Sequence, residues 1–125
     1  MLDTSALETL APRCKVWLER DGHVALSDWR VELLEKVDAC GSLAEAARRM
    51  NVPYKTAWYK LKEVEAGLGS SVLLKTSGGA RGGGASLTPA GREVLRRYHE
   101  LVAGIEELVA RRFADLFGEP PDSHS

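Results

Sequence analysis

The spacing of hydrophobic positions changes along the chain, and each change predicts a different element. Residues 1–12 have no periodicity and end in Ala-Pro, which predicts a loose tail. Two short runs, 15–20 and 23–26, then flank Asp21-Gly22. This dipeptide is typical of two-residue β-hairpin turns, because glycine accepts positive φ without cost. The register expected for this N-terminal β-hairpin consists of two pairs: Trp17 with Leu26, and Leu18 with Ala25.

Helical spacing follows the hairpin. Ser27-Asp28 is suited to begin a helix, because a serine oxygen accepts hydrogen bonds from free helix N–H groups, and Gly41 is suited to end it. The residues expected on the inner face of this helix are Trp29, Leu33, Leu34 and Val37. Ser42-Leu43-Ala44-Glu45 matches a capping box and predicts a second, short helix, in which Ala46-Ala47 allows a close crossing with the next helix.

A third helix is predicted directly after this one. Asn51 suits a left-handed turn position, and Pro53 suits the first helical turn. Gly67 and Gly69 are expected to end the helix. Its expected inward residues are Ala57, Leu61, Val64 and Leu68. Two short helices joined in this way form a helix-turn-helix pattern, although any αα-hairpin of a helical bundle gives the same pattern.

The segment after the third helix favours the helix-turn-helix. Residues 71–76 and 85–87 are predicted to pair as short strands, and the glycine-rich stretch between them carries a single cation, Arg81. A hairpin with such a tip, directly after a helix-turn-helix, is typical of a wing. Glycine keeps the tip slim enough for a groove, and arginine favours the negative potential of a narrow minor groove. A flexible surface loop is the plainer alternative, and the stretch lacks the Lys-Ser/Thr ending of a nucleotide-binding loop.

Thr88-Pro89 predicts the start of a long last helix that runs to about residue 117. Its apolar stripe exceeds what a small winged domain covers, so a second copy is the expected partner, with packing back on its own domain as the alternative. The expected dimerisation residues are Leu95, Tyr98, Leu101, Val102, Ile105, Leu108 and Val109, and Val94 and Leu116 extend the stripe. The predicted organisation is a tail over 1–12, a winged helix-turn-helix over 13–88, a dimerisation helix over 89–117 and a disordered tail over 118–125. The fold class is mainly α with a small β component.

Charge sharpens this picture. The net charge is −1, but residues 41–99 hold 10 Lys/Arg against 4 Asp/Glu, a balance of +6, between acidic flanking segments. A local basic field governs attraction to phosphate more than the overall charge does. With only two cysteines, no signal-peptide pattern and no long apolar run, we expect a cytoplasmic protein without disulfides or membrane spans. The histidines and cysteines lack metal-ligand spacing and no catalytic arrangement is apparent, so neither an enzyme nor a cofactor is expected.

Three runs of residues together resemble the N-terminal domain of ModE-type, molybdate-responsive transcription regulators, which is related to the LysR-type winged helices. The runs are Gly41-Ser42-Leu43-Ala44-Glu45-Ala46-Ala47, Tyr54-Lys55-Thr56-Ala57-Trp58, and the glycine-rich segment from Gly78 through Leu87-Thr88-Pro89-Ala90-Gly91. The resemblance covers roughly residues 13–115 and implies DNA binding. It does not imply molybdate sensing, because 125 residues leave no room for the family's molybdate-binding domains. Pro53 stands where the family usually has serine, so the phosphate contacts at that corner are not carried over.

The function expected from these features is sequence-specific binding of double-stranded DNA by a homodimeric transcription regulator, with the third helix in the major groove and the wing in the minor groove. The expected DNA-binding residues are Ser42, Arg48, Tyr54, Lys55, Thr56, Trp58, Tyr59, Lys62 and Arg81. Trp58 lies beside the inward Ala57, so it is expected either to brace the helix against the wing or to touch DNA. The alternative function is a protein-interaction winged helix that serves as subunit or antagonist of a larger regulator. A separate effector-sensing protein is a further possible partner.

Overall fold

The computed structural model describes residues 4–76 and 84–118, which divide into two compact units. One unit is Val16–Arg97, and the other combines the N-terminal segment as far as Lys15 with the chain from Tyr98 onward. The elements in chain order are α1 (Thr4–Leu7), β1 (Leu18–Arg20), β2 (His23–Leu26), α2 (Asp28–Cys40), α3 (Leu43–Arg49), α4 (Tyr54–Leu68), β3 (Leu73–Thr76), β4 (Gly84–Leu87) and α5 (Pro89–Phe117). The single turn α1 lies inside the segment expected to be a loose tail.

The N-terminal hairpin forms around Asp21-Gly22, where both residues have positive φ as expected for this dipeptide. The predicted register of the hairpin is wrong, because a β-bulge makes Ala25 an extra residue in β2. The pairs present are Leu18 with Leu26, Glu19 with Val24, and Arg20 with His23. Trp17 precedes β1 and is about half exposed, and Ala25 is buried.

The predicted caps bound α2 and α3. Ser27 Oγ accepts a hydrogen bond from the backbone N–H of Arg30 (3.4 Å), and Gly41 ends α2 with φ 75°. Ser42 Oγ accepts from the backbone N–H of Glu45 (3.0 Å). The Glu45 carboxylate binds two arginines of its own helix. The serine half of the predicted capping box is therefore formed.

The two ends of α4 differ in part from the sequence prediction. Asn51 takes the expected left-handed conformation (φ 59°) in the turn before the helix. Pro53 is the N-cap residue, one position before the first helical turn. Gly69 ends α4 with φ 69°, whereas Gly67 lies within the helix and does not end it. Gly67 instead allows a close approach, since a Cβ there would lie 2.5 Å from the Cβ of Ala25.

One apolar core joins α2, α3, α4 and both hairpins. Ala46 and Ala47 are fully buried, which confirms the close crossing that small side chains allow. Of the residues expected to point inward, Trp29 and Leu68 are half-buried. The largest buried side chains are Leu26, Leu33, Leu34, Leu61, Val31, Val37, Val64 and Val72.

The wing strands β3 and β4 pair antiparallel, from Leu73 opposite Leu87 to Thr76 opposite Gly84. The backbone N–H of Ala85 donates to the carbonyl of Gly41 (2.8 Å), which attaches β4 to the end of α2. The order α2-α3-α4-β3-β4 confirms the predicted winged helix-turn-helix. The tip of the wing lies outside the described residues.

Thr88 connects the wing to α5. Its Oγ1 accepts from the backbone N–H of Gly91 (2.9 Å) and donates to the carbonyl of Ser71 (2.8 Å). A Cβ at Gly91 would lie 2.7 Å from the carbonyl oxygen of Val72, so this position needs glycine.

Among the described helices, none combines the length and the apolar character needed to cross a membrane.

Candidate nucleic-acid interface

The outer face of α4 combines aromatic and cationic side chains. Tyr54 and Tyr59 are 49% and 52% exposed. The rings of Trp58 and Tyr59 meet edge to face with centroids 5.2 Å apart. Lys55 Nζ lies 5.9 Å from the Tyr59 centroid, and Lys62 Nζ lies 5.4 Å from the Trp58 centroid. The face is thus pre-arranged by its own cation–π and edge-to-face contacts.

Five of the six α4 residues expected to bind DNA share this face. Four of them line one shallow surface depression, namely Tyr54, Lys55, Trp58 and Tyr59. Lys62 is exposed one turn further along, and Thr56 is half-buried at the start of the helix. The two roles weighed for Trp58 were bracing the wing and touching DNA. Its half-buried ring meets Tyr59 edge to face and has Lys62 Nζ over it, both on its own helix.

The opposite face of α4 is held by the core. Ala57, Leu61 and Val64 are buried, as the helical spacing predicts. Near the C-terminal end, Gly67 meets Ala25, and Arg20 Nε donates to the Gly67 carbonyl. The N-terminal hairpin therefore supports the helix from behind and leaves its aromatic and cationic face to solvent.

A buried arginine adds a second support that the sequence analysis missed. Arg30 is 8% exposed, and its Nη1 donates to the carbonyl of Val24 (2.7 Å). Its Nη2 pairs with Glu63 Oε1 (2.9 Å), and Lys60 Nζ lies 3.6 Å from the same oxygen. The guanidinium thereby links α2, β2 and α4. The sequence did contain a signal for this burial, because Arg30 precedes Leu33 by three residues, and this spacing places it on the apolar face of α2.

The two candidates near α3 are engaged within that helix. The Ser42 hydroxyl serves as the α3 cap, and Arg48 pairs with Glu45, which also binds Arg49 (3.0 Å). Hydrogen bonds from Arg48 and then Arg49 lower the pKa of the Glu45 carboxyl to about 2. Glu45 is therefore ionised at neutral pH and offsets part of the positive charge available to phosphate.

Side chains from neighbouring helices fix the base of the wing. Asp38 Oδ1 accepts from the backbone N–H of Leu87 (3.2 Å), and Arg92 binds both oxygens of the Asp38 carboxylate (2.8 and 3.0 Å). The Leu87 N–H, followed by the Arg92 guanidinium, lowers the pKa of Asp38. On β3, Lys75 is exposed, and the sequence analysis did not single it out. Arg81, the predicted minor-groove residue, lies outside the described residues.

The predicted dimerisation residues fall into two groups. Leu95 and Tyr98 are buried, with 5% and 2% exposure. Leu101 and Leu108 are 43% and 48% exposed, and the remaining predicted positions, Val102, Ile105 and Val109, are half-buried. Phe113, which was not among the predicted dimerisation residues, is half-buried and stacks on Phe117 with ring centroids 5.4 Å apart.

The chemistry of the described residues gives little for a metal or redox site. Within 4–76 and 84–118, no three His, Cys, Asp or Glu side chains are grouped to hold a metal ion. Cys14 and Cys40 are half-buried free thiols. The arrangement that stands out is the aromatic and cationic face of α4.

Known proteins share this sequence pattern. The chain is 37% identical over 95 residues to the molybdenum-pterin-binding protein MopB of Rhodobacter capsulatus, covering 76% of this chain and 35% of that protein. It is 34% identical over 84 residues to the molybdenum transport protein ModE of Azotobacter vinelandii, covering 67% of this chain and 31% of that protein. The chain therefore spans about a third of the length of these curated relatives.

Solved structures share the fold. The CbnR_DBD-DNA complex matches with a TM-score of 0.50 and 30% identity, covering 69% of this chain and 95% of that chain. Full-length CbnR complexed with its target DNA matches in fold with a TM-score of 0.52 and 24% identity, covering 69% of this chain and 28% of that chain. The profile of bacterial regulatory helix-turn-helix proteins of the LysR family matches residues 30–92, half of the sequence. The chain belongs to this LysR family of bacterial regulatory helix-turn-helix proteins.

Proposed function

We propose that the protein is a sequence-specific regulator of transcription that binds double-stranded DNA as a homodimer. In this proposal α4 enters the major groove, and the glycine-rich wing reaches the minor groove. The observation that carries it is the face of α4, where lysines and half-exposed aromatic rings project from a helix held firmly behind. Lysine suits phosphate and guanine, and tyrosine hydroxyls suit phosphate oxygens or base edges.

The charge distribution and the similarity to known proteins support the same proposal. The balance of +6 over residues 41–99 places a positive field on the segment that contains α4 and the wing. ModE of Escherichia coli, 33% identical over 79 residues, is named a DNA-binding transcriptional dual regulator. The matching CbnR structures are named as complexes with DNA. Phosphate contacts from Lys55, Lys62, Lys75 and Arg81 would anchor the domain, and base contacts from α4 would select the sequence.

The homodimer is proposed from the exposed stripe on α5. Leu101 and Leu108 project from a helix whose described length is 29 residues, more than is usual for a globular domain. Two such helices side by side would cover both leucines. A dimer would also present two copies of α4 to half-sites about one helical turn of DNA apart, roughly 34 Å.

The DNA experiment measures fluorescence anisotropy with the duplex upstream of the protein's own gene, across a salt series and against unrelated duplex. We expect a preference of at least about a thousandfold for the specific site. Lys55→Gln should weaken binding about tenfold and lower the salt slope by about one phosphate contact. Lys15→Gln, which removes an exposed cation from the N-terminal segment, is the charge-matched control and should change neither quantity.

The dimer experiment uses sedimentation at micromolar concentration. Leu101→Glu or Ile105→Glu should split the dimer, while Ala103→Glu, which places the same charge on the opposite side of α5, should leave it intact. The two variants that no longer dimerise should still bind a single DNA half-site as monomers. An unchanged sedimentation profile for all three variants would contradict the α5 seam.

The outcomes of the DNA experiment separate the alternatives. If the protein bound every duplex with equal affinity, we would conclude that it is an architectural DNA-binding protein and not a sequence-specific regulator. No binding even at low salt would refute the DNA proposal and favour the protein-interaction module. Arg81→Ala extends the test to the wing, because unchanged affinity and salt slope would remove that residue from the interface.

A further inference from the structure

The Glu65 carboxylate on α4 faces two partners with different roles. Its Oε2 accepts hydrogen bonds from the backbone N–H of Val72 (3.0 Å) and from Ser71 Oγ (3.2 Å). Its Oε1 lies 3.6 Å from Lys62 Nζ. The Glu65 side chain is 18% exposed, so solvent screens these contacts only in part. One carboxylate thus touches both the start of the wing and a lysine of the proposed DNA-binding face.

The first of these contacts lies where the wing is attached. Gly69 ends α4, and the chain reaches β3 within the next few residues. Val72 is buried, its N–H is bound by Glu65, and its carbonyl accepts from the backbone N–H of Thr88 (2.9 Å) at the end of β4. Both wing strands therefore meet at Val72. A buried N–H left without an acceptor is destabilising, so Glu65 sets where this junction lies relative to α4.

The second contact restrains a cation. Lys62 Nζ lies 5.4 Å from the centroid of the Trp58 ring and 3.6 Å from the Glu65 carboxylate. A DNA phosphate that binds Lys62 must compete with this carboxylate. Phosphate attraction is independent of sequence, so a carboxylate that weakens it lowers affinity for all duplexes alike.

We propose that Glu65 is a positioning residue of the DNA interface, which fixes the wing to α4 and restrains Lys62. The inference rests on the proposed DNA binding and deepens it. By holding the wing at a set position relative to the recognition helix, Glu65 favours duplexes that fit both elements together. By offsetting the charge of Lys62, it lowers the sequence-independent part of the affinity for every duplex. The first effect raises the preference for the specific site, and the second sets the overall strength of binding.

Two substitutions separate the two roles in the full chain. Glu65→Gln and Glu65→Ala both remove the charge beside Lys62, but only glutamine keeps a side-chain oxygen that can accept from Val72. Affinity for unrelated duplex should rise about two- to threefold in both variants, because a partly exposed ion pair is lost. Preference for the specific site should be about fivefold lower in Glu65→Ala than in Glu65→Gln, because the alanine variant also lacks the hydrogen bond to the wing.

A measurement without DNA tests the attachment directly. Hydrogen exchange of the Val72 amide should accelerate in Glu65→Ala and remain slow in Glu65→Gln. A purely structural loss would lower the active fraction of protein and weaken binding to both duplexes equally, so the ratio of affinities is the informative quantity. Should Glu65→Ala fail to fold, Glu65→Asp replaces it, since it keeps the charge and shortens the reach by one methylene.

The restraint on Lys62 has its own control. In a Lys62→Gln background, Glu65→Gln should no longer raise affinity for unrelated duplex. The positioning role is refuted if the alanine and glutamine variants have the same Val72 exchange and the same site preference while the wild-type protein binds its site. A wild-type protein without any site preference would instead refute the proposed function, and the exchange measurement would still report on the attachment.

Discussion

Gly67 is the position where two stabilising tendencies oppose each other. It lies inside α4, where alanine is favoured over glycine by about 1 kcal/mol. An added Cβ would, however, lie 2.5 Å from the Cβ and 3.0 Å from the Cα of Ala25. Neither atom belongs to a side chain that can rotate away, and Ala25 is 3% exposed. Overpacking of this kind costs about 1–3 kcal/mol and here requires backbone movement, so the upper part of that range applies.

Gly67→Ala should therefore lower the free energy of unfolding by about 1–2 kcal/mol, the clash outweighing the gain in helix propensity. Urea unfolding followed by tryptophan fluorescence measures it, and the chain supplies three tryptophans. Gly104→Ala on α5 is the matched control. Nothing lies within 4 Å of its added Cβ, so that variant should gain about 0.5–1 kcal/mol.

A double-mutant cycle tests the stated cause. Ala25→Gly removes the methyl group that an alanine at position 67 would meet, so Ala25→Gly/Gly67→Ala should be at least about 1 kcal/mol more stable than the sum of the single effects predicts. If Gly67→Ala were as stable as the wild-type protein, helix propensity would dominate and the close approach of α4 to β2 would be refuted.

Three further predictions concern the supports and the exposed face. Asp38→Ala should lose about 1–2 kcal/mol of stability in urea unfolding at pH 7, because the Leu87 N–H loses its acceptor and Arg92 its partner. The folded pKa of Asp38 is lowered, so its stabilisation is present above the unfolded pKa of about 3.9 and fades as the pH falls below it. The difference in free energy of unfolding between Asp38→Asn and the wild-type protein should therefore be smaller at pH 3 than at pH 7. An equal difference at both pH values would contradict this sign. Arg30→Ala should cost about 1–3 kcal/mol, read from the same urea midpoint, and an unchanged midpoint would show the buried guanidinium to be dispensable. Tyr59→Ala should weaken DNA binding in the anisotropy assay while the free energy of unfolding stays within about 0.5 kcal/mol of the wild-type value, because the ring is half exposed.

Much of the fold was predictable because its signals are local. Asp21-Gly22, Gly41 and Asn51 adopt the positive φ values that their residue types favour, and they mark three of the chain reversals. The wing strands and the start of α5 follow in the same way from short patterns. The hairpin register was not predictable, because an inserted residue such as Ala25 leaves the local sequence pattern unchanged while it shifts every later pair.

The candidate site was predictable in its residues but not in its contacts. The exposed stripe of α4 follows from helical spacing once Ala57 and Leu61 are placed inward. The burial of Arg30 was not predictable, because an arginine enters a core only when partners distant in sequence, here Val24 and Glu63, satisfy its donors. Gly67 was assigned to a helix end because its close neighbour, Ala25, is also distant in sequence and leaves no local signal.

The bulge at Ala25 and the carboxylates of Asp38 and Glu65 together hold α4 and the wing in place. The bulge directs Ala25 at Gly67 and sets the distance between the N-terminal hairpin and α4. Asp38 attaches β4 to α2, and Glu65 attaches the start of β3 to α4, so each wing strand is bound to a different helix of the helix-turn-helix. Movement of the wing relative to α4 must therefore break one carboxylate contact or bend α2 against α4. Because both helices share one packed core, bending is costly, and we expect the wing to keep its position relative to α4.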